Sequence, residues 1–109
     1  VTVPVARRGE VWFAEVPGDR RRPVLVLTRD PLGRLLHSVI CAPITSTIRH
    51  LATEVPLGRE AGLAAESVAN FDNTLLLART RLLRRLGRAS AGTMNAACRA
   101  LTIAAGCDA

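Results

Sequence analysis

Short apolar runs, each broken by Gly, Pro or Asp, fill most of the chain, and the hydrophobic period changes only near its end. Residues 8–16 hold the β-formers Val11, Trp12, Phe13 and Val16 and predict a first strand, which Pro17-Gly18-Asp19 ends. An arginine loop, Arg20-Arg21-Arg22, follows. Pro23 suits the first position of a strand, where no ladder donor is needed, so 24–28 is predicted as a second, central strand. Asp30-Pro31-Leu32-Gly33 is a turn signal ahead of a third strand over 35–44. After a polar loop, 53–57 reads as a short edge strand, because Pro56 leaves a gap in a ladder. Further short strands are expected at 67–71, 74–79 and 82–86.

The last segment turns to helical spacing. Ser90 is the expected N-cap and Gly106 the C-terminal cap. Met94, Ala97, Cys98, Leu101 and Ala105 form the expected buried stripe, with Asn95, Arg99 and Thr102 opposite. This makes a mainly β chain with a C-terminal helix, an α+β arrangement whose short strands suit a small barrel or half-barrel.

A length of 109 residues fits one domain over 1–109, with 1–7 as a flexible lead-in. Apolar residues make up 49 % of the chain, with two Phe, one Trp and no Tyr, so the core must rest on Val, Leu, Ile and Ala. That fraction is high for a small chain and leaves apolar surface for a subunit contact. All 15 basic residues are Arg, and the net charge is +6. Codon bias accounts for Arg over Lys but not for the excess of positive charge, which fits an anionic partner such as nucleic acid. Cys41, Cys98 and Cys107 match no metal-ligand spacing; Cys41 and Cys98 read as core residues and Cys107 as exposed. The unpaired thiols imply a reducing, cytoplasmic setting, and neither a targeting signal nor a membrane-spanning run is visible. No metal or cofactor is expected.

The arginines that run into the Val24 strand and the hydroxyls of Thr45 and Ser46 at the exit of the next strand suit a phosphodiester. Guanidinium forks match phosphate oxygens, and hydroxyls add hydrogen bonds. Arg8-Gly9-Glu10-Val11-Trp12, then Arg21-Arg22-Pro23-Val24-Leu25-Val26, then Ala42-Pro43-Ile44-Thr45-Ser46 together resemble the MazF/PemK family of toxin endoribonucleases. Glu54-Val55, Leu57, Gly62-Leu63, Ser67-Val68 and Leu86-Gly87-Arg88 continue the match in order, over 8 to about 105. The resemblance implies an SH3-like small barrel of the CcdB/PemK type that works as a homodimer. It implies metal-independent cleavage of single-stranded RNA at short motifs, leaving a 2′,3′-cyclic phosphate and a 5′-hydroxyl. It also implies a cognate MazE-like antitoxin with an acidic C-terminal segment.

On this resemblance Arg22 and Thr45 take the family's catalytic positions, with Ser46 and Asp19 in support. Arg20, Arg21 and Arg49 are expected phosphate contacts, and Thr47, Asn70, Asp72 and Asn73 expected readers of base edges. The loop between the first two strands is shorter than in many members. The sequence does not single out a general base: His37 is expected within the third strand, His50 in the loop after it, and Asp19 is placed by position alone. Trp12 and Phe13 fall on opposite strand faces, one of them expected in the core. Two other functions are carried beside the ribonuclease: a CcdB-like poison of DNA gyrase, and a basic barrel that binds RNA without cutting it.

Overall fold

The computed structural model describes residues 3–107. It holds seven strands, β1 (Glu10–Glu15), β2 (Arg21–Val26), β3 (Ser38–Thr45), β4 (Glu54–Leu57), β5 (Ser67–Asn70), β6 (Leu75–Ala78) and β7 (Leu82–Arg88), then a helix α1 (Ala91–Ala104). The strands run β4-β5-β3-β2-β1-β7, and every pairing is antiparallel. β3 is the hinge of the sheet. Its first half, Ser38 to Cys41, pairs with β6, and its last residues, Ile44 and Thr45, pair with β5.

The sheet curls without closing, so the expected barrel is an open one. β4 and β7 end the strand path and do not pair with each other. The turn after β4, not β4 itself, packs on β7: Gly62, at φ +89°, lies against Leu86 and Gly87, and a Cβ at Gly87 would run into the Ala61 carbonyl. Only glycine fits so close an approach.

Two clusters fill the interior. Val11, Leu25, Ile44, Val55, Leu57 and Phe71 pack under α1, while Val24, Val26, Val39, Cys41, Leu77 and Leu82 fill the other face. Burial pushes the Cys41 thiol up to about 12, so it is an inert core group. The expectation for 1–7 falls partly on residues 1–2, which lie outside the described residues. Ala6 is buried, and the Pro4 carbonyl accepts from Arg79 Nη1 at 2.9 Å, so this part of the lead-in is held to the body.

The helix caps match expectation. Ser90 Oγ accepts from the Thr93 amide at 3.1 Å, a cap whose removal costs about 1 kcal/mol. Gly106 sits at φ +72°, with its amide on the Ile103 carbonyl and the Cys107 amide on that of Thr102, a Schellman ending. The buried stripe matches only in part. Ala97 is buried and Met94 packs half-buried against the core, as expected, but Ala100 takes the remaining core position, while Cys98, Leu101 and Ala105 are exposed. Cys98 Sγ instead accepts from Arg8 Nη2 at 3.1 Å. Alanine lets the helix approach the sheet more closely than a Leu stripe would.

Three further expectations are corrected. β2 begins at Arg21 rather than after Pro23, because Glu15 and Ala14 of β1 pair with Arg21 and Arg22. Pro23 is tolerated inside the strand because β3 first meets β2 at Val24, leaving that side of Pro23 outside the ladder. His37 precedes β3 and is exposed, since the 3-10 turn Leu32–Arg34 delays the strand to Ser38. Neither Trp12 nor Phe13 is fully buried: Trp12 packs half-buried against the second cluster, and bulges in the β1–β7 ladder leave Val11 and Ala14 as the core positions. Arg84 lies 6.0 Å over the Phe13 ring.

Candidate active site

β2 enters and β3 leaves the sheet at the same end, which brings Arg22 and Thr45 to one cleft of about 340 Å³. Its walls also carry Asp19, Arg20, Thr47, Arg49, Asn70 and Asn73 over an apolar floor of Val16, Pro43 and Leu75. Pairing with Ala14 fixes the backbone of Arg22. Its guanidinium is fixed from two directions. Nη2 donates to Asp19 Oδ1 at 3.2 Å, and Nε lies 2.8 Å from Oδ2 as an ion contact without hydrogen-bond geometry. Nη1 reaches across to the Ile44 carbonyl at 3.4 Å, beside Thr45. Only 17 % of the Arg22 side chain is exposed, so the charge is partly shielded from water and acts with less screening than a free surface arginine.

The Asp19 carboxylate accepts from the Arg20 amide at 2.7 Å and from Arg22. Those donors, the amide first, hold its pKa below the ordinary 3.8. It stays ionised at neutral pH and is a weak proton acceptor. Thr45 ends β3 half-buried, and its Oγ1 accepts from the Thr47 amide at 3.1 Å, leaving the hydroxyl proton to donate. Asn70 Oδ1 accepts from the Asp72 amide at 2.9 Å, which directs the Asn70 donors to other partners.

Not every expected residue gathers here. Ser46 and Arg21 wall a separate cleft that shares Arg20, Arg22 and Thr45 with the first. Asp72 walls neither of these clefts; its Oδ2 accepts from Thr53 Oγ1 at 2.7 Å and pins a turn. His37 and His50 wall neither as well.

Sequence reasoning missed Glu54 as a site-building residue. Its carboxylate is buried, and Oε1 accepts from the Arg49 and Leu51 amides at 3.0 and 3.3 Å, folding the loop that carries Thr47 and Arg49. Between those donors His50 takes φ +57°. A carboxylate three residues after a His-Leu pair carries no local motif, so only the fold reveals the role.

On an open, curled β-sheet, a largely shielded arginine and a strand-end threonine thus present forked donors and a hydroxyl to one polar, cationic cleft. The model of PemK-like, MazF-like toxins of type II toxin–antitoxin systems matches residues 7–105, and the chain belongs to that family. A probable endoribonuclease MazF2 of Mycobacterium tuberculosis is 43 % identical over 102 residues, covering 93 % of this chain and 99 % of its own. A probable endoribonuclease MazF5 of the same organism is 42 % identical over 104 residues, covering 93 % and 94 %. Among solved structures, the Mycobacterium tuberculosis toxin MazF-mt6 superposes with a TM-score of 0.86 at 38 % identity, covering 92 % of this chain and 99 % of that one. A mycobacterial endoribonuclease in complex with its cognate antitoxin gives a TM-score of 0.83 at 28 % identity, covering 95 % and 98 %. No helix among the described residues is long and apolar enough to cross a membrane.

Proposed function

We propose that this toxin is a metal-independent endoribonuclease that cuts single-stranded RNA at a short motif, in the cytoplasm, and so arrests translation and growth. The observation that carries the reading is the Arg22 guanidinium, held by Asp19 and the Ile44 carbonyl in the same cleft as Thr45. The endoribonuclease names of its relatives support it.

In the reaction the RNA 2′-oxygen attacks the adjacent phosphorus and gives up its proton. The bond to the 5′-oxygen breaks and that oxygen takes a proton, leaving a 2′,3′-cyclic phosphate and a 5′-hydroxyl. Arg22 stabilises the charge that builds on the non-bridging oxygens, with forked donors that never deprotonate at working pH. Thr45 donates its hydroxyl to the same phosphate. Asp19 is a positioning residue for Arg22. The Asp19 oxygens are taken up by the Arg20 amide and the Arg22 guanidinium, so the 2′-hydroxyl proton passes to solvent and the rate gain comes from electrostatic stabilisation. Arg20 and Arg49 hold flanking phosphates, and Thr47, Asn70 and Asn73 read base edges.

The active form is a homodimer, inhibited by a MazE-like antitoxin whose acidic segment competes for the cationic cleft. A solved relative in complex with its cognate antitoxin supports that partner. The test is cleavage of single-stranded RNA in EDTA, with end mapping. Arg22→Ala is expected to fold normally and lose about 10²–10³-fold in kcat, the scale of one oxyanion donor. Thr45→Ala should lose about tenfold or more. RNA that is bound but left intact, or cut undiminished by both variants, overturns the assignment.

A further inference from the structure

Arg20, Arg22 and Thr45 wall two clefts at once. The first is the polar one described above. The second, about 250 Å³, is bounded by Pro23, Ile44, Leu63, Ala64 and Ala65, with Arg21 and Ser46 at its rim. A phosphate bound by a shared wall has one nucleotide on each side, and the chain must leave in two directions. We propose that the second cleft is a nucleotide subsite that takes the residue on the far side of the scissile phosphate from the first cleft. This rests on the ribonuclease reading of the Arg22–Thr45 pair.

The two clefts differ in chemistry. Thr47, Asn70 and Asn73 give the first cleft side-chain groups that distinguish base edges. In the second, side-chain polarity apart from the arginines and the shared Thr45 is limited to two serines, and the Ser67 hydroxyl already donates to the Ala65 carbonyl at 3.0 Å. Alanine, proline and leucine offer flat apolar contact to a ring face, which every base presents. The second subsite therefore binds a base without choosing among the four, and the motif is read on the first side. Its volume lies below the ~300–1,000 Å³ of a drug-sized pocket, in keeping with a single nucleoside. Arg20 and Arg21, both exposed, supply cations for the outgoing phosphate. The Glu15 partner of Arg21 is loose at 3.7 Å and gives way readily to a phosphate.

The experiment uses the full chain and a short RNA carrying its mapped cleavage motif, with an abasic ribonucleotide placed on one side or the other of the cut. Ala65→Trp, which fills the cleft, is expected to lower kcat/KM about tenfold on intact RNA. The same variant should lose less than twofold when the base on one particular flank is missing. Ala64→Leu, a bulky neutral side chain at an exposed position, should show the same dependence and serves if the Trp variant unfolds. Exchanging the four bases on that flank should change the wild-type rate less than threefold. Wild-type protein that cuts no RNA would sink the ribonuclease reading itself. Wild-type cleavage with both variants unimpaired, or equally impaired on intact and abasic RNA, overturns the second subsite alone.

Discussion

At the scale of single residues, Asp19 and Arg22 decide how the site works. Asp19 lies two residues before β2, on the short turn after β1; its Oδ1 accepts from the Arg20 amide and Arg22 Nη2, and its Oδ2 makes the ion contact with Arg22 Nε. The same carboxylate that aims Arg22 also offsets part of its charge. Asp19→Ala is therefore expected to lower kcat about tenfold through lost orientation, while KM does not rise because a competing anion is gone. Because the folded-state pKa of Asp19 is depressed below 3.8, the pair is fully formed above that value and is lost only as pH falls through the lower one. The profile of kcat/KM should run flat between about pH 5 and 7, well above that range. An acid limb in this window that disappears in Asp19→Asn would make Asp19 the general base and remove the positioning role. Arg22 and Thr45 were singled out through the ordered family resemblance; Pro23 and Pro43 mark the two strands that bring them together, although β2 takes in Arg22 instead of starting after Pro23. The Asp19 clamp was not legible in the sequence, since an acid in a turn is ordinary and only the register of β1 on β2 folds it back onto Arg22.

At the scale of elements, the strand count, the edge position of β4 and both helix caps follow from turn residues and period alone. The errors have a common cause. Trp12 and Phe13 were assigned to faces by strand alternation and Cys98 by the apolar helical stripe, while bulges and an alanine-lined helix face reset which side turns inward. Helical period locates an apolar stripe only when one stripe is clearly heavier. Here Ala97 and Ala100 outrank Leu101 because they permit a closer helix. The 46–52 loop is the other element that local pattern leaves open, and buried Glu54 shapes it. One carboxylate oxygen binds two loop amides, while Oε2 is buried without a partner, an energetic cost set against the shape of the cleft wall. Glu54→Ala frees the loop, and its two amides then turn to water. KM should rise about five- to tenfold with kcat changed less than twofold, since the loss falls on substrate binding rather than on the transition state. Glu54→Gln keeps an acceptor for both amides and should restore KM. Equal losses in kcat and KM, or no rescue by Gln, would show that Glu54 serves the fold and not the cleft.

At the scale of the whole molecule, surplus apolar surface becomes a specific face. Ile40 of β3 and Leu76 of β6 are cross-strand partners, 44 % and 70 % exposed, and with Leu36 they wall a groove of about 340 Å³. The neighbouring residue Leu75 lies on the floor of the Arg22–Thr45 cleft. A second copy seated on Leu76 about a two-fold axis would thus set two clefts side by side, so that one RNA strand passes from one protomer toward the other. A standard interface buries about 800 Å² per partner, roughly an eighth of the 6379 Å² of one copy. Two-fold symmetry doubles each contact, so a charge at Leu76 enters the interface twice. Leu76→Arg is expected to melt like wild type, since the site is exposed, yet to run as a monomer in sedimentation or light scattering. RNA cleavage should fall with it, and more steeply at low protein concentration. Ile103 on α1, also an exposed apolar residue at 54 %, lies away from the cleft walls, and Ile103→Arg should leave the dimer intact. A dimer that survives Leu76→Arg and breaks with Ile103→Arg would move the interface to the helix and separate the two clefts.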